Sequence, residues 1–100
     1  MINGLPGNMA RLIINTIQRT TSYAIVPFSF TGPEISDPAV NVGGVDVALI
    51  RPEGRGAIET IKKEYPDLVI VDFTHPATIN ENIAFYCERQ LNFVCGTTGV

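Results

Sequence analysis

One hundred residues, 45% hydrophobic and 17% charged, make a chain of single-domain size, with apolar surface for one core and no bias toward disorder. Seven Lys and Arg stand against ten Asp and Glu, a formal net charge of −3, and Arg11, Arg19, Arg51, Arg55, Lys62, Lys63 and Arg89 are scattered, so no basic stripe for a nucleic-acid backbone is present. No apolar run approaches the ~20 residues that cross a bilayer, and the start has neither a secretory nor an Arg- and Ser-rich organellar pattern, so any import leader is expected to be absent from this stretch.

Met1 to Asn3 reads as the tail of a strand. It runs into Gly4-Leu5-Pro6-Gly7-Asn8-Met9-Ala10, a tight turn, and then into a helix whose apolar face is read from Met9, Leu12, Ile13 and Ile17. Tyr23 to Phe30 is β-rich, and Pro27 removes a ladder donor there, which predicts an edge position or a bulge. Gly32-Pro33, Asp37-Pro38 and Gly43-Gly44 break the chain before a short strand at Val45–Ile50.

Glu53 to Gly56 is turn-like, Ala57 to Tyr65 is a short amphipathic helix, and Pro66 stops it. Leu68-Val-Ile-Val-Asp72 is a continuous β-branched run of the kind found in a strand buried on both faces of a parallel sheet. Pro76 and Thr78 open another helix with Ile79, Ile83, Phe85 and Tyr86 near helical spacing. Asn92 to Cys95 is a last strand, ending on Gly96-Thr97-Thr98-Gly99. Cys87 falls on the helix and Cys95 in the strand without metal or redox spacing, and both are expected to be reduced, buried thiols.

Alternating strands and helices with short connections imply right-handed crossovers, hence an α/β domain with a doubly wound parallel sheet and helices on both faces. Ligands bind such sheets beyond the carboxyl ends of the strands. Gly4 to Met9, Asp72 to Pro76 and Gly96 to Gly99 all fall at those ends and point at one crevice.

The turn supplies what a pyrophosphate needs. Gly4 and Gly7 lack a Cβ where the backbone bends or approaches a ligand, Ala10 is small where helix meets strand, and the amides of Gly7, Asn8 and Met9 stand at a helix start. Pro6 cannot donate. The spacing G-x-x-G-x-x-A departs from G-x-G-x-x-G, and a structural turn leading into the helix is the alternative. After the second strand an acid commonly holds the ribose hydroxyls, or an Arg takes a 2′-phosphate. Phe28-Ser29-Phe30-Thr31-Gly32 offers neither; the hydroxyls of Ser29 and Thr31, with Asn8, remain as candidate contacts.

Gly4-x-x-Gly7-x-Met9, Val71-Asp72-Phe73-Thr74-His75-Pro76 and Phe93-Val94-x-Gly96-Thr97-Thr98-Gly99 together resemble the amino-terminal domain of dihydrodipicolinate reductase, and Asn80-Glu81-Asn82 with the Asn3-Gly4 step looks most like its plant and cyanobacterial branch. The resemblance implies a Rossmann-like nicotinamide-dinucleotide-binding domain over residues 1–100, NADPH or NADH as cofactor, and a place in the diaminopimelate route to lysine. It implies that Gly4, Leu5, Pro6, Gly7, Asn8 and Met9 cradle the pyrophosphate. Gly96, Thr97 and Thr98 would hold the nicotinamide ribose and ring, and Asp72 to Pro76 would shape the sheet edge between.

The chain departs from that family at Asn8, where Arg or Lys is usual, and at Ala10, its third glycine. The first strand is short, and the family's second domain, with its His-His and Lys substrate site and its homo-oligomer contacts, is expected to lie outside this chain. On this reading the chain is truncated at both ends and inactive alone, with no catalytic and no metal-ligating residue. His75 is expected to neighbour the cofactor rather than transfer protons, and Asp72 to bond locally. A chloroplast stroma location is implied for a plant source and a cytoplasmic one otherwise. Two alternatives stay open: a non-catalytic reductase-like chloroplast assembly factor, which the missing cation at Asn8 favours, and an orphan domain without a ligand.

Overall fold

The computed structural model describes residues 1–20, 23–73 and 79–96. In chain order the elements are β1 (Ile2–Asn3), α1 (Asn8–Thr20), β2 (Phe28–Phe30), β3 (Ala39–Val42), β4 (Val45–Ile50), a 3-10 segment (Pro52–Ala57), α2 (Ile58–Glu64), β5 (Val69–Asp72), α3 (Ile79–Glu88) and β6 (Asn92–Cys95). β1, β5 and β6 pair in parallel in the order β1-β5-β6, and a second ladder runs β2-β4-β3 with β2 parallel to β4.

The two ladders meet where β1 lies beside β2. Gly4 N donates to the Phe30 carbonyl at 3.0 Å, and Phe30 N donates to the Asn3 side-chain oxygen at 2.9 Å. Read across, the strands run β3-β4-β2-β1-β5-β6, with α1 leading from β1 toward β2 and α3 leading from β5 to β6 in the opposite direction. The Rossmann-like, doubly wound α/β reading is therefore the fold formed, and the reversal between β1 and β5 is the topological switch point at which such sheets bind ligands.

Each face has its own core. Ile2, Leu5, Ala10, Ile14, Val42, Val47 and Leu49 pack under α1; Phe30, Ile58, Ile61, Ile70, Tyr86 and Leu91 pack under α2 and α3. The period of two explains the division: Val47 and Leu49 of β4 point one way while Ile50 packs with the other cluster, and Ile70 of β5 faces opposite its neighbour Val71.

Four expectations change. The buried stripe of α1 is Ala10 and Ile14 with Ile13 and Ile17 beside them, while Met9 and Leu12 are 48% and 54% exposed. Residues 9, 12, 13, 17 and 10, 13, 14, 17 both fit a helical period, and the methyl-sized Ala10 decides the rotation by letting the helix sit close to the sheet. Second, Ala39–Val42 is a strand: it pairs antiparallel with β4 through Gly43 and Gly44, whose φ angles of 57° and 85° form a two-residue hairpin turn. The glycine pair that reads as a break is the turn itself.

Third, β2 is interior and starts just after Pro27, so the missing N–H falls outside the strand while the Pro27 carbonyl still accepts from Ala48 N at 3.0 Å. Fourth, β5 is open on one face. Val69 is 48% exposed, and Val94, the partner of Val71 on β6, is 58% exposed. Among the described residues no helix is long and apolar enough to cross a membrane.

Ile14→Ala should lower unfolding free energy by about 3 kcal/mol through lost transfer energy and a cavity. Leu12→Ala should change it by less than about 0.5 kcal/mol. Urea midpoints of the two variants check the helix rotation; equal losses would restore the face read from Leu12.

Candidate functional site

The register aligns three strand ends in one row. Asn3 of β1 pairs with Asp72 of β5, and Asp72 with Cys95 of β6. The glycine turn, Phe73 and Gly96 each begin one residue beyond that row, so the structure brings Gly4 to Met9 and Gly96 to the same sheet edge. Phe73 N donates to the Asn3 carbonyl at 3.1 Å and Gly96 N to the Asp72 carbonyl at 2.9 Å, carrying the pairing one step past the strands. A Cβ added at Gly96 would collide with the Phe73 ring, so only glycine allows that ring to lie across the end of β6. Thr97, Thr98, Gly99 and residues 74–78, which include His75 and Pro76, lie outside the described residues.

The turn is held from beneath by β2. Ser29 Oγ accepts from Leu5 N at 3.3 Å, and Thr31 Oγ1 donates to the Leu5 carbonyl at 2.7 Å. Both hydroxyl residues are buried. This corrects the expectation that they reach a phosphate or ribose: they are spent on clamping Leu5, itself 1% exposed in the α1-side core. A buried loop backbone has to find such partners, and side chains of the neighbouring strand provide them.

The Gly7 amide is spent too, donating to the Gly4 carbonyl at 2.9 Å, so it is removed from the donors read from sequence. A Cβ at Gly7 would stand 2.9 Å from that same carbonyl, so a side chain there strains the turn before it meets any ligand. Three donors remain. Arg11 N bonds the Gly7 carbonyl at 3.2 Å, which leaves the amides of Asn8, Met9 and Ala10 without a backbone acceptor among the described residues. Asn8 and Met9 are exposed at the first turn of the 13-residue α1, the positive end of its dipole. Arg11 bends back so that its Nε donates to the Pro6 carbonyl at 3.0 Å.

Behind the row lies a buried polar cluster that the sequence reading missed. Asn3 Nδ2 donates to the Tyr86 hydroxyl at 2.8 Å; that hydroxyl donates to Asp72 Oδ2 at 2.5 Å, and Asn82 Nδ2 donates to the same oxygen at 3.2 Å. All four residues are buried. Burial first, and then the Asp72 carboxylate, push the Tyr86 phenol far above its ordinary range, so it stays a donor at any working pH. Asp72 bonds within the fold, as its position at a strand end suggested. Asn3 and Asn82, two amides within otherwise apolar elements, were the available signal. Cys95, at the end of the same row, has its thiol pushed up by partial burial and by Asp72, and it is half-buried rather than buried; Cys87 is exposed.

The sequence profile of the family described as "Dihydrodipicolinate reductase, N-terminus" matches residues 1–100. The chain belongs to that family. Over 100 residues it is 35% identical to the probable 4-hydroxy-tetrahydrodipicolinate reductase 2, chloroplastic, of Oryza sativa subsp. japonica, covering 99% of this chain and 30% of the relative. It is 33% identical to the chloroplastic 4-hydroxy-tetrahydrodipicolinate reductase 2 of Arabidopsis thaliana, over 99% of this chain and 28% of that protein. The corresponding reductase of Thermosynechococcus vestitus is 26% identical over 103 residues, 100% of this chain and 37% of its own length. The chain thus spans about a third of the length of these relatives.

Tyr86→Phe should cost about 2 kcal/mol, because it strips Asp72 of the phenol's hydrogen bond and leaves the Asn3 amide facing a ring edge. Chemical denaturation of the variant checks this. A loss below about 0.5 kcal/mol would mean that the cluster is not held by the hydroxyl.

Proposed function

We propose that this chain is the dinucleotide-binding part of a 4-hydroxy-tetrahydrodipicolinate reductase of the lysine pathway, and that it holds NADH or NADPH across the carboxyl ends of β1, β5 and β6. The observation that carries the reading is the set of three unengaged amides, Asn8, Met9 and Ala10, at the start of α1 beside a turn whose other polar groups are all committed. Such an end suits an anion: its first amides have no acceptor within the helix and the dipole adds to the attraction.

Gly4 to Met9 cradle the pyrophosphate on this reading. The Asn8 and Met9 amides serve as donors, Gly4, Leu5, Pro6 and Gly7 shape the turn, and Arg11 adds positive charge from the Pro6 side. Gly96, with Thr97 and Thr98 following it in sequence, takes the nicotinamide end on this reading, where the Phe73 ring lies across Gly96. When bound, the nicotinamide supplies hydride to the substrate. The residues of this chain bind and orient, while substrate contacts and proton transfer are assigned to the part of the relatives that this chain does not span. The 35% identity to a chloroplastic rice relative supports a plastid setting.

Calorimetric titration with NADH and with NADPH tests the proposal, paired with Asn8→Asp. A carboxylate at the first turn favours the helix dipole and should keep or slightly raise the melting temperature, yet it repels the pyrophosphate and should weaken nucleotide about tenfold or more. A folded chain that binds neither nucleotide, or Asn8→Asp that binds both as well as the parent, would remove the anion site from the α1 terminus.

A further inference from the structure

The five large apolar side chains exposed among the described residues, Met9, Leu12, Tyr23, Val69 and Val94, all stand on the α1 side of the sheet. Val71 packs with the core under α1, Val69 shares its face by the period of two, and Val94 is its partner on β6. On the same side α1 leans toward the β3–β4 hairpin, where the side-chain oxygens of Asn15 and Gln18 occupy the space that a Cβ on Gly43 would need. The helical period then turns Met9 and Ile13 to the opposite flank, toward β5, and Leu12 and Arg19 outward. The floor left open beside α1 is β5 and β6, two strands or about 10 Å across, which is the width of one helix. Toward the start of the strands this trough deepens into a cavity of about 620 Å³ lined by Ile2, Ile17, Tyr23, Val69 and Val71, with the exposed Glu64 and Asp67 at its rim.

An apolar trough one helix wide, next to a helix with an exposed apolar ridge, is self-complementary. A two-fold axis parallel to the strands, set between α1 and the trough at the height of the helix layer, carries α1 of each copy into the trough of the other. The two sheets then enclose one shared layer of two helices, and Leu12 of one copy meets Val69, Val71 and Val94 of the other. Charge decides the direction. Arg19, in the last turn of α1, pairs with no carboxylate among the described residues, and Glu64 and Asp67 pair with no cation there. The parallel axis brings Arg19 of one copy to Glu64 and Asp67 of the other. An axis across the strands would instead bring it to the positive start of α1, beside Arg11.

We propose that the α1 side of this chain is a self-association surface, on which α1 of a second copy fills the trough over β5 and β6. The carboxyl ends of β1, β5 and β6 stay on an open edge in both copies, so the proposal stands apart from the dinucleotide reading. A 13-residue helix about 20 Å long laid across two strands falls at the small end of specific interfaces. The dimer accordingly dissociates with a constant on the order of 50 µM, and the dilute chain is monomeric.

Sedimentation equilibrium of the chain between about 5 and about 500 µM, a decade on either side of that constant, tests it. The mass should rise from one chain to two. Leu12→Glu should weaken the dimer at least about tenfold, because it drives a charge into the apolar floor. Leu12 is exposed in the single copy, so the variant keeps its fold, which its helical circular dichroism verifies. Arg19→Glu should weaken the dimer about tenfold by like charge, and Arg19→Glu combined with Asp67→Lys should recover most of the loss. A chain that stays monomeric at the highest concentration overturns the proposal and leaves the trough to a segment of a longer polypeptide or to another protein. A dimer that Leu12→Glu leaves intact overturns it by placing the contact elsewhere, and one indifferent to Arg19→Glu overturns the parallel arrangement on which it stands.

Discussion

The amide side chain of Asn3 joins the two halves of the sheet. β1 is only two residues long, too short to build a backbone ladder to both neighbours. Its backbone pairs with β5, and toward β2 the Asn3 side-chain oxygen takes the Phe30 amide that a main-chain carbonyl would otherwise receive. The other end of the same amide group donates to Tyr86, which is bonded in turn to Asp72. One buried side chain thus fixes β2, β1, β5 and α3 relative to one another. The glycine turn begins at the very next residue, so its position is set by this amide and not by a long strand. Because all the polar atoms concerned are buried, each bond lost would leave a group that water cannot satisfy, which makes the arrangement both costly to break and specific in geometry.

The alternation of strands and helices was legible because periodicity and breakers report it directly: the apolar run before Asp72, the Pro66 stop and the glycine turn all lie where the elements change. What stayed hidden was relational. The face of α1 depends on Ala10 fitting against the sheet, and two stripes in the sequence fit the same period. Ala39–Val42 reads as broken by Pro38 and the glycine pair until β4 supplies a partner, at which point the same glycines become the turn. The open face at Val69 and Val94 could not be read from a strand composition that suits a doubly covered position equally well.

The candidate site divides in the same way. Glycines and a helix start were visible, and the structure brings the turn and Gly96 to one edge. Which donors remain available was not visible, since the Gly7 amide closes its own turn and the Ser29 and Thr31 hydroxyls face inward to Leu5. Those hydroxyls explain how so short a strand can carry a turn at all: the Leu5 N–H and C=O are both buried away from water and both find side-chain partners on β2. Ser29 and Thr31 are therefore scaffold for the turn, and the groups left unengaged beside it are main-chain amides, which carry no side-chain identity for sequence reading to detect.

The same logic separates grip from discrimination. Backbone amides at the start of α1 respond to any pyrophosphate and cannot distinguish two dinucleotides that share one. Discrimination has to come from side chains at the adenosine end. The charged side chains nearest the end of β2 stand on the turn after it and just beyond β4, rather than on the sheet itself. Glu34 reaches Gly32 through a four-residue reversal, and Arg51 is held by a carbonyl of that reversal and by Glu53. None of these contacts involves the Asn3 cluster or either core. This loop can consequently vary by substitution without disturbing the register that positions the glycine turn, and a reading that stops at the last residue of β2 misses a carboxylate that the chain delivers by folding back.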